Sequence, residues 1–113
     1  MSKGEHLGEL EELILMITGS LIDNAYAVSV MDELKASTGR SINVSAVHAV
    51  MKRLETKGFL RSHVGGATNE RGGRSKRMYV ITAEGKKALQ DSMDIRVDLY
   101  KKIPGFSLNY SGS

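Results

Sequence analysis

The sequence contains no cysteine and no tryptophan, only two phenylalanines, and a single proline, Pro104. The missing cysteine excludes disulfides, thiolate metal sites and cysteine nucleophiles together. It fits a reducing compartment, and a cytoplasmic location is the expectation. No apolar run reaches the roughly 18 residues of a membrane span. The start Met1-Ser2-Lys3-Gly4-Glu5 lacks a charged segment leading into an apolar one, so no signal peptide is expected. Catalytic patterns are missing too. No serine sits in a nucleophile elbow, and the acids gather on what reads as a solvated first helix. Neither Gly65-Gly66 nor Gly72-Gly73 leads from a strand into a helix as a phosphate loop does. The chain is therefore not read as an enzyme, and no metal or cofactor is implied.

What is present suffices for one domain of 113 residues. The moderate net charge of +3 hides an uneven distribution. Residues 1–39 carry two basic and seven acidic side chains, whereas residues 40–82 carry nine basic and two acidic. The middle of the chain is thus the part suited to a polyanion.

Leu7, Leu10, Leu13, Ile14, Ile17 and Leu21 recur at helical spacing and predict an amphipathic helix over about Leu7 to Thr18. Asp23-Asn24 offers a cap for a second helix, about Ala25 to Ser37, whose inward face is Tyr26, Val30, Met31 and Leu34. Gly39 stops it. A third helix runs from Asn43 or Val44 to Lys57, with Val44, Val47, Val50, Met51 and Leu54 on one face. The period then shortens. Phe59–Val64 and Lys76–Ile81 read as two strands of a hairpin, joined by a glycine-rich tip over residues 65–75. Thr82 caps a fourth helix that continues to Ile103, where Pro104-Gly105 ends it. The expected architecture is mainly α with a small β-hairpin: a winged helix-turn-helix over residues 1–82, a dimerisation helix over 83–103, and a flexible tail over 104–113.

That order has a physical logic. The major groove of B-DNA is about 12 Å wide and admits one helix that is apolar inward and small or polar outward. Asn43, Ser45, Ala46, His48 and Ala49 provide such an outward face. Lys52 and Arg53 follow one to two turns later, within reach of phosphates. The hairpin adds Arg71, Arg74, Lys76 and Arg77, opposed only by Glu70, and suits a phosphate ridge or an adjacent minor groove. Double-stranded DNA is the expected partner. RNA is disfavoured, because the hairpin offers Tyr79 but no paired exposed aromatics for stacking.

Several stretches together resemble the PadR-like family of winged-helix transcriptional regulators, in its short form with one C-terminal helix. They are Leu7-Gly8-Glu9-Leu10-Glu11-Glu12-Leu13-Ile14-Leu15, Ala25-Tyr26-Ala27, Arg53-Leu54-Glu55-Thr56-Lys57-Gly58-Phe59-Leu60, Arg71-Gly72-Gly73-Arg74-Ser75-Lys76-Arg77-Met78-Tyr79 and Ile81-Thr82-Ala83-Glu84-Gly85. The resemblance covers about residues 7–103. It implies a DNA-binding homodimer, assembled through the C-terminal helix and often the first helix, that represses nearby genes. The sequence departs from the family at the recognition helix. Where relatives commonly carry glycine, threonine or alanine, an aliphatic residue and tyrosine, this chain reads Ser45, Ala46, Val47, His48. Base preference therefore does not carry over.

Other readings compete at several positions. Arg53 suits a phosphate, or an ion pair with Glu55 or Glu12. His48, with no second ligand at metal spacing, reads as a surface residue or a DNA contact. Leu89, Met93, Arg96, Tyr100 and Ile103 follow a 4-3-4-3 spacing that Ala88, Ile95 and Leu99 widen. A stripe this long, about 30 Å, outruns a small domain. Together with Leu7 and Leu10 it is expected to form the dimer interface. The six methionines read as core filling, and a small-molecule effector is left unspecified. The alternative function is a winged-helix protein-interaction module that docks an acidic partner through the same basic surface.

Overall fold

The computed structural model describes residues 7–65 and 76–105. Its elements run α1 (Glu9–Ser20), α2 (Ala27–Thr38), α3 (Val44–Thr56), β1 (Leu60–Val64), β2 (Arg77–Ile81) and α4 (Ala83–Lys101). This is the expected winged helix-turn-helix followed by one C-terminal helix. The strands pair antiparallel, with Leu60 opposite Ile81, Ser62 opposite Tyr79 and Val64 opposite Arg77. The centre of the expected wing and the tail from residue 106 lie outside the described residues.

The core is a three-helix wedge closed by the foot of the hairpin. Ile14, Leu15 and Ile17 of α1 meet Val30 and Leu34 of α2 and Val47, Val50, Met51 and Leu54 of α3. Phe59, Leu60 and Tyr79 complete it. Tyr79 is only 3% exposed. It is a core residue and not the exposed wing aromatic that the sequence suggested, because the β2 pleat turns its side inward. Val44, expected on the buried face of the third helix, is exposed. It is the first residue of α3, before the helix reaches the wedge.

The ends of the helices explain the small shifts in their limits. α1 begins at Glu9 because Glu11 folds back, its Oε1 accepting from the Gly8 N–H at 2.9 Å. The start of α2 corrects the expected cap at Asp23-Asn24. Asp23 takes a left-handed turn conformation, φ 64°, and the Asn24 N–H donates to the Leu21 carbonyl. The cap position falls to Tyr26, whose N–H donates to Ser29 Oγ at 3.0 Å. Ala25 is thereby left outside the helix, and its carbonyl accepts from the Tyr79 N–H at 2.8 Å. Gly39, at φ 79°, ends α2 in the left-handed conformation that favours glycine.

α4 leaves the body at a tight corner. Thr82 Oγ1 accepts from the Gly85 N–H at 3.0 Å and donates to the Gly58 carbonyl at 2.7 Å. The Thr82 N–H donates to the Phe59 carbonyl at 3.0 Å. Gly85 is buried directly against that same carbonyl, and a Cβ there would overlap it. Ala88 and Leu89 then pack on the core, but the helix runs on past it. The molecule extends 58 Å along its longest axis against 32 and 23 Å across. Ile95 and Leu99 on the projecting part are 60% and 59% exposed.

Candidate nucleic-acid interface

The face of α3 opposite Val47, Val50, Met51 and Leu54 is open to solvent. Ser45, His48, Ala49, Lys52 and Arg53 are exposed there, and Ala46 is half-buried. These side chains are short at the N-terminal end and cationic at the C-terminal end. Asn43 precedes the helix as its cap, with Oδ1 accepting from the Ala46 N–H at 2.8 Å. Its oxygen is therefore committed to the helix. Its amide group sits on an exposed residue at the helix tip.

Arg53 forms the ion pair that the sequence left open as an alternative, but with Glu11 and not with Glu55 or Glu12. Arg53 Nε donates to Glu11 Oε2 at 3.1 Å, and Lys57 Nζ reaches both Glu11 oxygens at 3.0 Å. α1 presents Glu11 and Glu12 inward, 6% and 5% exposed. The reading of these acids as a solvated cluster is thus corrected. They fill helix junctions instead. Burial alone would push the Glu11 carboxyl above its ordinary value. The hydrogen bonds from Gly8, Lys57 and Arg53, with the Lys57 charge, outweigh that and hold it below. Arg53 keeps about half of its side chain exposed, so it is held by Glu11 while still facing outward.

The hairpin is bound to the end of α3 by a polar chain. Arg77 Nη1 donates to Ser62 Oγ at 2.9 Å, and Ser62 Oγ donates to Glu55 Oε2 at 2.7 Å. Arg77 thereby lies on the same side as the C-terminal end of α3. Behind it, burial and the Glu55 charge raise the Tyr79 hydroxyl, partly offset by Arg77. That hydroxyl is buried and has no hydrogen-bond partner among the described residues. Lys76 Nζ sits 4.2 Å from the centre of the Tyr26 ring, a cation–π contact to the start of α2. Arg71 and Arg74 lie outside the described residues. A cleft of about 330 Å³ opens at the hairpin root, lined by Asp23, Tyr26, His63, Lys76 and Met78 among others. Among the described residues no group of three or more His, Asp or Glu side chains is placed to hold a metal ion. Nor is any helix there long and apolar enough to cross a membrane.

The residues expected at a dimer interface divide into two sets. Leu7, Leu10, Leu89 and Met93 are half-buried, and Leu7, Leu10 and Leu89 pack on the chain's own core. Tyr100 is exposed on the projecting end of α4, and Ile103 is exposed just past it, since the helix ends at Lys101 and not at Ile103 as expected. Arg96 lies between, with Nη2 3.1 Å from Glu12 Oε1 of the same chain. Ile95 and Leu99 expose more than Tyr100 or Ile103, and the 4-3-4-3 spacing ranked them only as flanks. Lys57, Ser62 and Glu55 were not singled out as site residues. Their partners are distant in sequence or on a strand, and no helical periodicity signals them.

The model of the transcriptional regulator PadR-like family matches residues 14–91. Among solved structures, a PadR family transcription regulator from hypervirulent Clostridium difficile is 20% identical, with a TM-score of 0.66 over 83% of this chain and 93% of that one. A PadR-like transcription factor from Bacteroides fragilis is 21% identical, with a TM-score of 0.66 over 83% and 85%. A transcriptional regulator from Clostridium thermocellum is 20% identical, with a TM-score of 0.65 over 88% and 93%. At these identities the likeness is one of fold. No curated protein matches the sequence.

Proposed function

The chain belongs to the PadR-like family of transcriptional regulators, and from that footing we propose that it is a homodimeric, sequence-specific DNA-binding repressor acting in the cytoplasm. The observation that carries this reading is the two-faced α3. Its buried face locks it into the wedge, and its open face presents short polar side chains followed by cations. In the proposed complex, α3 enters the major groove, with Asn43, Ser45, Ala46, His48 and Ala49 toward base edges. Lys52 and Arg53 contact phosphates, and the wing, through Lys76 and Arg77, meets the adjacent backbone or minor groove. A family of transcriptional regulators leaves no place for an enzymatic role.

The dimer is proposed on the projecting end of α4. Ile95 and Leu99, exposed on a helix that runs beyond its own core, with Ile103 just past its end, form an apolar surface that suits a second copy of the same helix. Two-fold pairing places two α3 helices about 34 Å apart on one face of DNA.

Fluorescence anisotropy tests the reading. The probe is the duplex upstream of the protein's own gene, supplemented by duplexes selected from a random pool, against scrambled competitor at about 50 and 200 mM salt. Four phosphate contacts per subunit predict a slope of log affinity against log salt near −7 for a dimer. Preference for one duplex by about 10³ or more supports the repressor. Equal, salt-sensitive binding to every duplex would instead favour a module that docks an acidic protein.

A further inference from the structure

Glu11 and Glu12 are neighbours in α1, both buried, and each holds a different helix. Glu11 binds Arg53 and Lys57 at the end of α3. Glu12 accepts from the Ser92 hydroxyl and pairs with Arg96, both on α4. One turn of α1 therefore touches the helix proposed to read DNA and the helix proposed to carry the partner subunit.

Two points fix the direction of a rod. The first point on α4 is the corner at Gly58, Phe59, Thr82 and Gly85, where close backbone packing and two hydrogen bonds from Thr82 to the body set the origin. A corner of this kind sets position more firmly than angle. The second point is Glu12 with Ser92 and Arg96, roughly 11 to 16 Å further along the helix at 1.5 Å per residue. Past Arg96 the described part of α4 turns exposed apolar residues to solvent.

We propose that Glu12 is a positioning residue that sets the spacing of the DNA half-sites this protein accepts. The inference rests on the dimeric DNA-binding reading above. Glu12 touches neither DNA nor the partner. It fixes the angle of α4 to α1, and that angle sets the separation and twist of the two α3 helices in the dimer. DNA is a strict ruler for such an angle. One inserted base pair moves a half-site by about 3.4 Å and turns it by about 34°, since one helical turn takes about 10.5 base pairs over about 34–36 Å.

The test uses full-length protein and a duplex of about 30 base pairs selected from a random pool by the wild type. Companion duplexes carry one or two base pairs added or removed at the centre, and one carries a single half-site. Wild type is expected to lose about tenfold or more per inserted base pair, comparable to a mismatched base. Glu12→Gln is expected to lose about threefold or less on the same duplexes, while binding the single half-site as wild type does. Ser92→Ala is the milder variant, for use where Glu12→Gln lowers the melting temperature too far for binding work. Variants that fold and dimerise yet keep the wild-type spacing penalty would overturn the proposal. So would a wild type indifferent to spacing. A wild type that selects no duplex, or is monomeric on DNA, would instead bring down the dimeric DNA-binding reading itself.

Discussion

Lys57 Nζ lies 3.0 Å from both carboxylate oxygens of Glu11, across 46 positions of sequence. The pair ties the last residues of α3 to the first turn of α1. Removing the carboxylate strands Lys57 and the Gly8 N–H. Glu11→Ala is expected to cost about 1–3 kcal/mol, read as a lower urea midpoint with an unchanged slope.

The same carboxylate gives the fold an acid-sensitive component. Its folded pKa is held below the ordinary value of 4.5. The stability it contributes is therefore complete above that value and is lost as pH falls through the lowered one. Melting temperature should fall more steeply between pH 5 and pH 3 in wild type than in Glu11→Gln. Parallel curves would show that Glu11 does not carry this component.

Gly85 is expected to tolerate no side chain. A Cβ there overlaps the Phe59 carbonyl, which is backbone and cannot rotate away. Gly85→Ala should cost about 1–3 kcal/mol, despite the usual helical advantage of alanine over glycine. Urea unfolding reads this directly, and a stabilised variant would contradict the close packing.

Asn43 carries two roles that substitution can separate. Asn43→Ala loses the cap and should cost about 1 kcal/mol, whereas Asn43→Ser keeps a capping oxygen and nearly all stability. If the exposed amide reads a base, Asn43→Ser still changes the preferred duplex in a random-pool selection. An unchanged preference would leave Asn43 as a cap alone.

Arg77 should contribute to affinity without contributing to selectivity. Arg77→Ala is expected to weaken binding across all duplexes and to flatten the salt slope by about 2 in a dimer. Ser62→Ala frees the guanidinium without removing it and should weaken binding by less. For the dimer, Leu99→Asp places an unpaired carboxylate at the proposed seam. It should raise the dissociation constant about 100-fold or more, measured by sedimentation, with the winged helix still folded.

Periodicity made the wedge legible. Val47, Val50, Met51 and Leu54 are buried as their spacing predicts, and the strand-to-helix change of period at Thr82 is where α4 begins. The limits that moved did so through single hydrogen bonds that no pattern encodes, such as Ser29 drawing the start of α2 to Ala27. Glu11 and Glu12 were misread because a charge beside an apolar stripe normally faces water. Their partners lie more than 40 residues away, and only the fold brings Arg53, Lys57 and Arg96 to them. Tyr79 was misread because alternation in a strand fixes two faces without saying which one is covered.

The 2.8 Å bond from the Tyr79 N–H to the Ala25 carbonyl gives the hairpin a mechanical role. β2 has β1 on one side, and on the other Ala25, the residue before the cap of α2. A pull on the hairpin is thereby delivered to the start of α2 as well as to the end of α3. The hairpin acts as a lever built into the body, and whatever grips it also loads both helices of the helix-turn-helix.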